Sequence, residues 1–188
     1  MNPQECVIPI HKPKTTEMLF FFSCGVIMSV PISLFITSLA NSLIVFPSSL
    51  LSTVVFAPLF EEFSKVFPLF YRHGETQRSI LNLAVMVGLG FGVVELFTYV
   101  FLVGTPVVFR LPGLFFHPAS TAIAAYGIAT KRPLIFYALA VALHFGNNFL
   151  VVLSVTNPLP FSASIIVLGA TVWLAWIFYH RTTEKVIV

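Results

Sequence analysis

The sequence predicts an all-α protein, a polytopic transmembrane bundle of about six helices with both termini in the cytoplasm. Three observations carry this prediction. Of the 188 residues, 57% are hydrophobic and only 9% are charged, whereas a soluble domain is about one-quarter charged. The apolar residues form six successive runs, each able to cross most or all of roughly 30 Å of hydrocarbon. The connections between the runs are brief, so neighbouring helices should be antiparallel. The predicted spans are residues 18–40, 49–71, 79–103, 113–130, 133–155 and 159–179.

The first span follows Lys12 and Lys14. Its apolar run of about 22 residues exceeds the 7–15 residues of a signal-peptide core and suits a membrane crossing. We therefore expect a retained transmembrane helix rather than a cleaved leader.

The second span carries three ionisable groups in an otherwise apolar run, namely Glu61, Glu62 and Lys65. Each such charge costs roughly 2.5–3.5 kcal/mol at the centre of a membrane helix. Lys65 lies three residues from Glu62 and four from Glu61, so it can reach either carboxylate on the helix surface. The other carboxylate then points about 100° away around the axis, without a partner in its own helix. Since stapling two helices needs one carboxylate, the second favours a functional site. Pro58 should kink the span just before this pair.

The third span carries a face of small residues that leads to a carboxylate. Ala84, Gly88, Gly92 and Glu95 share this face. Small residues spaced by four let a second helix approach closely. We therefore predict a packing groove that ends at Glu95.

The fourth and fifth spans each carry a histidine with a polar partner one turn later. These are His117 with Thr121, and His144 with Asn148. One histidine in an apolar helix is typically a hydrogen-bonded packing residue, but two histidines in a bundle with three carboxylates favour a shared site. The sixth span, like the first, carries no charge within the membrane, so both are predicted to be scaffold.

The basic residues predict the orientation of the bundle. Of ten Lys and Arg, eight fall on one side of a six-span topology, Lys65 lies inside the membrane and Arg110 falls on the other side. The positive-inside rule places the eight, and both termini, in the cytoplasm. We therefore expect one multi-pass domain, residues 1–188, in the plasma membrane. The eight are Lys12, Lys14, Arg72, Arg78, Lys131, Arg132, Arg181 and Lys185.

Several other classes of function are excluded. The net charge of +3 is small and dispersed, so no nucleic-acid partner is indicated. Cys6 and Cys24 are far apart and no CxxC spacing occurs, so neither a zinc knuckle nor a disulfide framework is predicted. The partners that remain are membrane lipid and a membrane-anchored substrate.

The buried polar residues can meet in the membrane. Counted from the basic end at about 1.5 Å per residue, their depths differ by about 10 Å, which helix tilts of about 20° absorb. Converging carboxylates, histidines and an amide can activate a water and stabilise an oxyanion, as peptide hydrolysis requires. Three glutamates against one lysine would be costly in a dry cavity. Either a proton is taken up or a divalent cation binds, and Glu62, Glu95, His117 and His144 are side chains suited to hold Zn²⁺. No HExxH motif is present to decide between these two.

The ordered motifs resemble those of the PrsW family of intramembrane proteases, which is similar to the wider group of CAAX-processing and bacteriocin-protection membrane proteases. The motifs are EExxK from Glu61, FGxxE ending at Glu95, HxxxT from His117 and HxxxN from His144. They place the protease-like core at residues 49–155. The resemblance implies a polytopic endopeptidase that cuts membrane-anchored proteins. The family is catalogued among metallopeptidases, whereas related CAAX-type enzymes have been argued to use glutamate without metal.

The residues suggest a division of roles. Glu62 or Glu61 is the general base on water, with the other carboxylate held by Lys65. Glu95 and His117 orient that water or bind a metal that carries it, and His144 and Asn148 donate to the oxyanion. Two alternatives use the same residues, a proton-coupled transporter or channel and a membrane enzyme that acts on lipid. The absence of an internal repeat argues against a transporter, and Arg110 is the one outer-side cation available for a lipid head group.

Overall fold

A computed structural model describes residues 10–42, 50–72, 75–154 and 159–187, and this part of the chain is helical apart from short connections and isolated β-bridges. Six α-helices occur in it, numbered in chain order. They are α1 (Thr15–Ser42), α2 (Ala57–Val66), α3 (Gln77–Phe97), α4 (Val107–Ala129), α5 (Pro133–Leu153) and α6 (Leu159–Arg181).

The second predicted span is not one regular helix. A π-helical segment, Leu51–Phe56, precedes α2, and a 3₁₀ segment, Phe67–Tyr71, follows it. Pro58 and Pro68 each lie at the start of the segment that follows a change of helix type. Proline cannot donate to the preceding turn and is best tolerated at such a start. The sequence predicted a kink at Pro58; the structure shows a change of helix type between Phe56 and Ala57.

Helices α3 and α4 form the centre of the bundle, and glycines allow their close contact. A Cβ atom built on Gly88 would lie 2.5 Å from the carbonyl oxygen of His117 and 2.6 Å from Pro118 Cα. On another face of α3, a Cβ on Gly90 would lie 2.1 Å from the carbonyl oxygen of Phe22 in α1. The small-residue groove predicted on the third span is thus confirmed as a packing surface, and α1 uses a second one.

One end of the bundle gathers the predicted cytoplasmic residues. Arg72 contacts the carboxylate of Glu17 near the start of α1. Gln77, at the start of α3, donates its side-chain N–H to the carbonyl oxygen of Ala129 at 3.3 Å and its backbone N–H to that of Lys185 at 2.9 Å. The start of α1, the segment after α2, the start of α3, the end of α4 and the segment after α6 therefore lie together.

The opposite end brings together the other helix termini. Asn148, near the end of α5, donates to the carbonyl oxygen of Thr53 before α2 at 2.9 Å. The rings of Phe109 in α4 and Phe161 in α6 meet edge-on with centroids 5.4 Å apart. Successive helices thus alternate in direction, as the brief connections predicted.

Four helices in the described ranges are long and apolar enough to cross a membrane, against six predicted spans. The other two elements depart from the prediction in specific ways. The second span is divided and carries Glu61, Glu62 and Lys65, while α4 begins at Val107, six residues before the predicted start, and includes Arg110. Pro112 lies inside α4 and does not stop it. The four candidate spans are Thr15–Ile36, Gln77–Leu102, Pro133–Leu153 and Phe161–Arg181.

Candidate active site

Lys65 lies at the centre of a buried polar cluster between α2, α3, α4 and α5. Its side chain is 0% exposed, and its ammonium group has three N–H donors. Three acceptors surround Nζ: Glu62 Oε1 at 2.6 Å, His117 Nδ1 at 3.1 Å and Ser120 Oγ at 3.3 Å. The Phe91 ring lies 5.2 Å from Nζ as an additional cation–π partner. Every donor of this buried cation is therefore matched, which a buried charge requires.

Glu62 is the carboxylate that pairs with Lys65. Besides Lys65, its Oε1 atom accepts from Ser120 Oγ at 3.0 Å and from His144 Nδ1 at 2.8 Å. The side chain of Glu62 is 0% exposed, so this carboxylate joins α2 to α4 and α5 inside the protein. Since Lys65 could reach either glutamate, the sequence left this pairing open.

Glu61 points away from this pair. Its side chain is 11% exposed, and its Oε2 atom lies 3.9 Å from His144 Nε2. Because the carboxylate of Glu62 accepts at His144 Nδ1, the hydrogen-bond partners assign the imidazole proton to Nδ1 and a lone pair to Nε2. Two acceptor atoms, one from Glu61 and one from His144, thus face each other beyond direct hydrogen-bond distance. A water fits such a separation as the shared donor.

His117 links Lys65 to Glu95. Its Nδ1 atom accepts from Lys65, so its proton lies on Nε2, which contacts Glu95 Oε2. Thr121, predicted on the same face, donates to the carbonyl oxygen of His117 at 2.7 Å within its own helix. The glycine face of α3 allows the contact between His117 and Glu95. Because Gly92 has no side chain, α4 can approach α3 until a Cβ built on Gly92 would lie 3.4 Å from the His117 ring.

Arg110 is a component of the site that the sequence reasoning assigned to an outer connection. Because α4 begins at Val107, Arg110 lies on this helix two turns before His117. Its Nη1 atom lies 3.7 Å from Glu95 Oε1. Its guanidinium carbon lies 3.2 Å from the centroid of the Tyr99 ring, a stacked cation–π contact. The guanidinium plane is thereby fixed beside Glu95.

A cavity of about 370 Å³ joins these groups. It lies near the end of the bundle opposite the basic residues, and helices α1 to α5 and the segments before α2 and after α3 line it. Glu62 and Lys65 do not line it, whereas Glu61 does. Its polar and ionisable lining residues are Ser52, Thr53, Glu61, Glu95, Tyr99, Arg110, His144 and Asn148.

A second, smaller cavity of about 60 Å³ adjoins the same centre. It shares Glu95, Arg110, His144 and Asn148 with the larger one and adds His117. Asn148, the predicted oxyanion donor, has one amide N–H engaged with the carbonyl oxygen of Thr53 at 2.9 Å. The structure therefore brings all seven predicted site residues to one centre. Glu62 and Lys65 are its fully buried members and lie behind the residues that line the cavity.

The site offers donors suited to a divalent metal. Imidazole nitrogen and carboxylate oxygen are ordinary zinc ligands, and His144 Nε2, Glu61 and Glu95 present such atoms to the cavity. The Nδ1–H···Glu62 bond of His144 is the outer-shell support that metal-bound histidine usually has. The donors occur here as pairs, Glu61 with His144 and Glu95 with His117. Their chemical types fit a metal, and Glu61 rather than Glu62 is the cavity-facing member of the glutamate pair.

Another acidic cluster lies at the basic end, where His11, Glu17 and Glu75 bring ligand-type atoms within 4.8 Å of one another. Arg72 contacts the carboxylates of both Glu17 and Glu75. The guanidinium thus already supplies the positive charge that these carboxylates require.

Two residues of the site were missed from the sequence. Ser120 lies one turn from His117 in a polar stretch and donates to Glu62, so its position beside His117 was an available signal. Arg110 was missed because it precedes residue 113, the predicted start of the fourth span, whereas α4 begins at Val107.

One of three comparisons with known proteins gave a match. A family model described as PrsW family intramembrane metalloprotease matches residues 13–178. No curated protein and no solved structure matches the chain.

Proposed function

The chain belongs to the PrsW family of intramembrane metalloproteases, and we propose that it is an endopeptidase that cuts membrane-anchored proteins with a water held between Glu61 and His144. The enzyme is a peptide hydrolase and a membrane protein. The observation that carries the proposed chemistry is the pair of free acceptors, Glu61 Oε2 and His144 Nε2, 3.9 Å apart at a cavity of about 370 Å³.

The water is positioned by accepting groups of this chain. It donates one proton to Glu61 and the other to His144, which leaves its oxygen lone pairs directed toward the cavity. Glu61 takes the proton as the oxygen attacks the scissile carbonyl carbon. The same proton then passes to the departing amine nitrogen, so the C–N bond breaks to give a carboxylic acid and an amine. Glu61 returns to its starting state.

Glu62 and Lys65 orient the two histidines of the site from outside the cavity. Glu62 accepts the Nδ1 proton of His144, which keeps the Nε2 lone pair directed at the water. Lys65 neutralises Glu62 and fixes the tautomer of His117. We therefore assign Glu62 a positioning role and Glu61 the role of base.

A divalent metal would be held by His144, Glu61 and Glu95, with His117 beside them. Such a metal would lower the pKa of a bound water and polarise the substrate carbonyl. Lys65, Ser120 and Glu62 would serve that centre in the same way, because they orient the two histidines from outside the cavity.

The fold supports a place in the membrane. We propose that all six helices cross the plasma membrane, with α2 and α4 held inside the bundle by their polar contacts. The positive-inside rule then places the basic end and both termini in the cytoplasm. The cavity lies in the outer half, so the enzyme would cut near the outer face.

The direct test is cleavage in proteoliposomes. Purified protein is reconstituted with a membrane-anchored reporter in water enriched in ¹⁸O, and products are identified by mass spectrometry. We expect the wild-type enzyme to cut the reporter at a defined internal bond and to leave one ¹⁸O atom in the new carboxylate. The His144→Ala variant should not cut the reporter. An intact reporter together with proton flux across the same vesicles would instead support a transporter.

A further inference from the structure

Arg110 stands where a hydrolase needs a donor for the oxyanion of the tetrahedral intermediate. We propose that Arg110 is this donor and therefore a catalytic residue, an inference that rests on the proposed function. Peptide hydrolysis places negative charge on the former carbonyl oxygen, and preorganised donors aimed at that oxygen are typically the largest single contribution to catalysis.

The two residues predicted for this role, His144 and Asn148, are wholly or partly engaged with protein acceptors, and so is His117. The imidazole proton of His144 is donated to Glu62 at 2.8 Å, so Nε2 can accept but not donate. One amide N–H of Asn148 is donated to the carbonyl oxygen of Thr53 at 2.9 Å. The proton of His117 faces Glu95. The two histidines therefore donate their one ring proton to a protein acceptor, and Asn148 donates one of its two amide protons.

Arg110 has donors to spare. Its guanidinium group carries five N–H bonds, and its contact with Glu95 Oε1 is 3.7 Å, longer than a hydrogen bond. Its side chain is 28% exposed. The contact with Tyr99, with the guanidinium carbon 3.2 Å from the ring centroid, holds the group in place, and a hydrogen bond to the Tyr99 hydroxyl would still leave other N–H donors for substrate. Arg110 lines both cavities of the site, so it is directed at the space where a peptide must bind.

The charges of the cavity favour the same assignment. Among the described lining residues of the larger cavity, Glu61 and Glu95 are acidic and Arg110 is the permanent cation. Glu61 becomes neutral as it takes the water proton, but the carboxylate of Glu95 would repel a developing oxyanion unless a cation lay close to it. Glu95 attracts Arg110 to the cavity, but at 3.7 Å the two side chains do not form a close bidentate ion pair.

The first test is the turnover of Arg110→Ala and Arg110→Lys on the membrane-anchored reporter in proteoliposomes. Loss of one oxyanion donor typically lowers kcat about 10²–10³-fold, so we expect such a loss in Arg110→Ala with little change in KM. Guanidinium ion at non-denaturing concentration should restore part of the rate, whereas equal sodium chloride or urea should not. Arg110→Lys should retain part of the activity, because it keeps the charge but loses the planar donors.

The second test uses an anionic phosphonamidate analogue of the reporter sequence, which imitates the tetrahedral intermediate. Its Ki should rise in Arg110→Ala by a factor similar to the loss in kcat/KM, since both report transition-state binding. The matched control is Arg132→Ala, because Arg132 is exposed in the connection between α4 and α5. It should leave kcat, Ki and the response to guanidinium unchanged.

Two results would overturn the assignment, namely wild-type kcat in Arg110→Ala, or a loss that guanidinium leaves unaltered with an unchanged Ki. A wild-type enzyme that does not cut the reporter would refute the proposed function itself. The two failures are distinguishable because one concerns the variant and the other the parent protein.

Discussion

Replacing Gly88 with alanine should separate the two central helices and disable the site without altering any polar side chain. A Cβ at this position would lie 2.5 Å from the carbonyl oxygen of His117, about 0.9 Å closer than the 3.4 Å at which ordinary van der Waals contact begins. The obstruction is backbone of α4, so relief requires movement of the helix itself. His117 and its contact with Glu95 would move with it.

The size of the effect follows from this displacement. Overpacking a close-packed interior typically costs about 1–3 kcal/mol, and a shift of about 1 Å at a catalytic group can cost about 10²-fold in rate. We therefore expect Gly88→Ala to lower the free energy of unfolding by about 1–3 kcal/mol and kcat by about 10²-fold. Denaturant unfolding in detergent and turnover in proteoliposomes measure the two quantities.

Gly169→Ala is the matched control, because a Cβ there meets nothing within 4 Å. In a helix interior, alanine is favoured over glycine by roughly 1 kcal/mol. The control should therefore be active and equally or more stable. Wild-type stability and turnover in Gly88→Ala would refute the close contact between α3 and α4 on which the position of His117 depends.

Three further predictions concern the foundation of the site and its metal. Glu62→Gln should lower the free energy of unfolding by about 3–5 kcal/mol, since it leaves Lys65 as an uncompensated buried charge. The double variant with Lys65→Met should recover much of this loss when unfolding is measured in denaturant. Wild-type stability of Glu62→Gln would contradict the pairing of Glu62 with Lys65. Tyr137→Phe should cost about 0.5–1.5 kcal/mol by removing the hydroxyl bond to the carbonyl oxygen of Leu59 at 2.7 Å, and equal unfolding midpoints would count against that bond. Elemental analysis should find a divalent metal in the wild-type protein and a lower content in His144→Ala, whereas equal contents would remove His144 from the ligand set.

Much of the fold was predictable because hydrophobic runs and brief connections constrain a membrane bundle strongly. The direction of successive helices followed from hydropathy and the brief connections. The glycine spacing at Gly88 and Gly92 predicted a close helix contact but did not identify α4 as the partner. The division of the second span did not follow, since a single proline is compatible with a kinked α-helix or with a change of helix type. The start of α4 was placed too late because Pro112 breaks most helices but is accommodated within this one.

The membership of the site was more predictable than its internal pairing. Ionisable residues in apolar runs must find partners, so the meeting of Glu62, Lys65 and His144 could be expected. Which glutamate Lys65 would choose could not, because separations of three and four residues both bring side chains together on a helix. The choice depends on Ser120 and His144, which approach from other helices and add two donors to Glu62. This tertiary contact has no local signature.

The most direct measurement compares Glu61→Gln with Glu62→Gln for both turnover and unfolding. Glu61 faces the cavity, so its amide variant should fold with wild-type stability and cut the reporter at a rate reduced by at least about 10²-fold, the lower range for a general base. Glu62→Gln should instead be destabilised. Glu184→Gln controls for the loss of a negative charge away from the cavity. Glu184 accepts from Thr76 Oγ1 at 2.8 Å, and the amide oxygen of glutamine can keep this bond, so the control should behave as wild type. Cleavage by Glu61→Gln at the wild-type rate would contradict the assignment of Glu61 as the group that activates water.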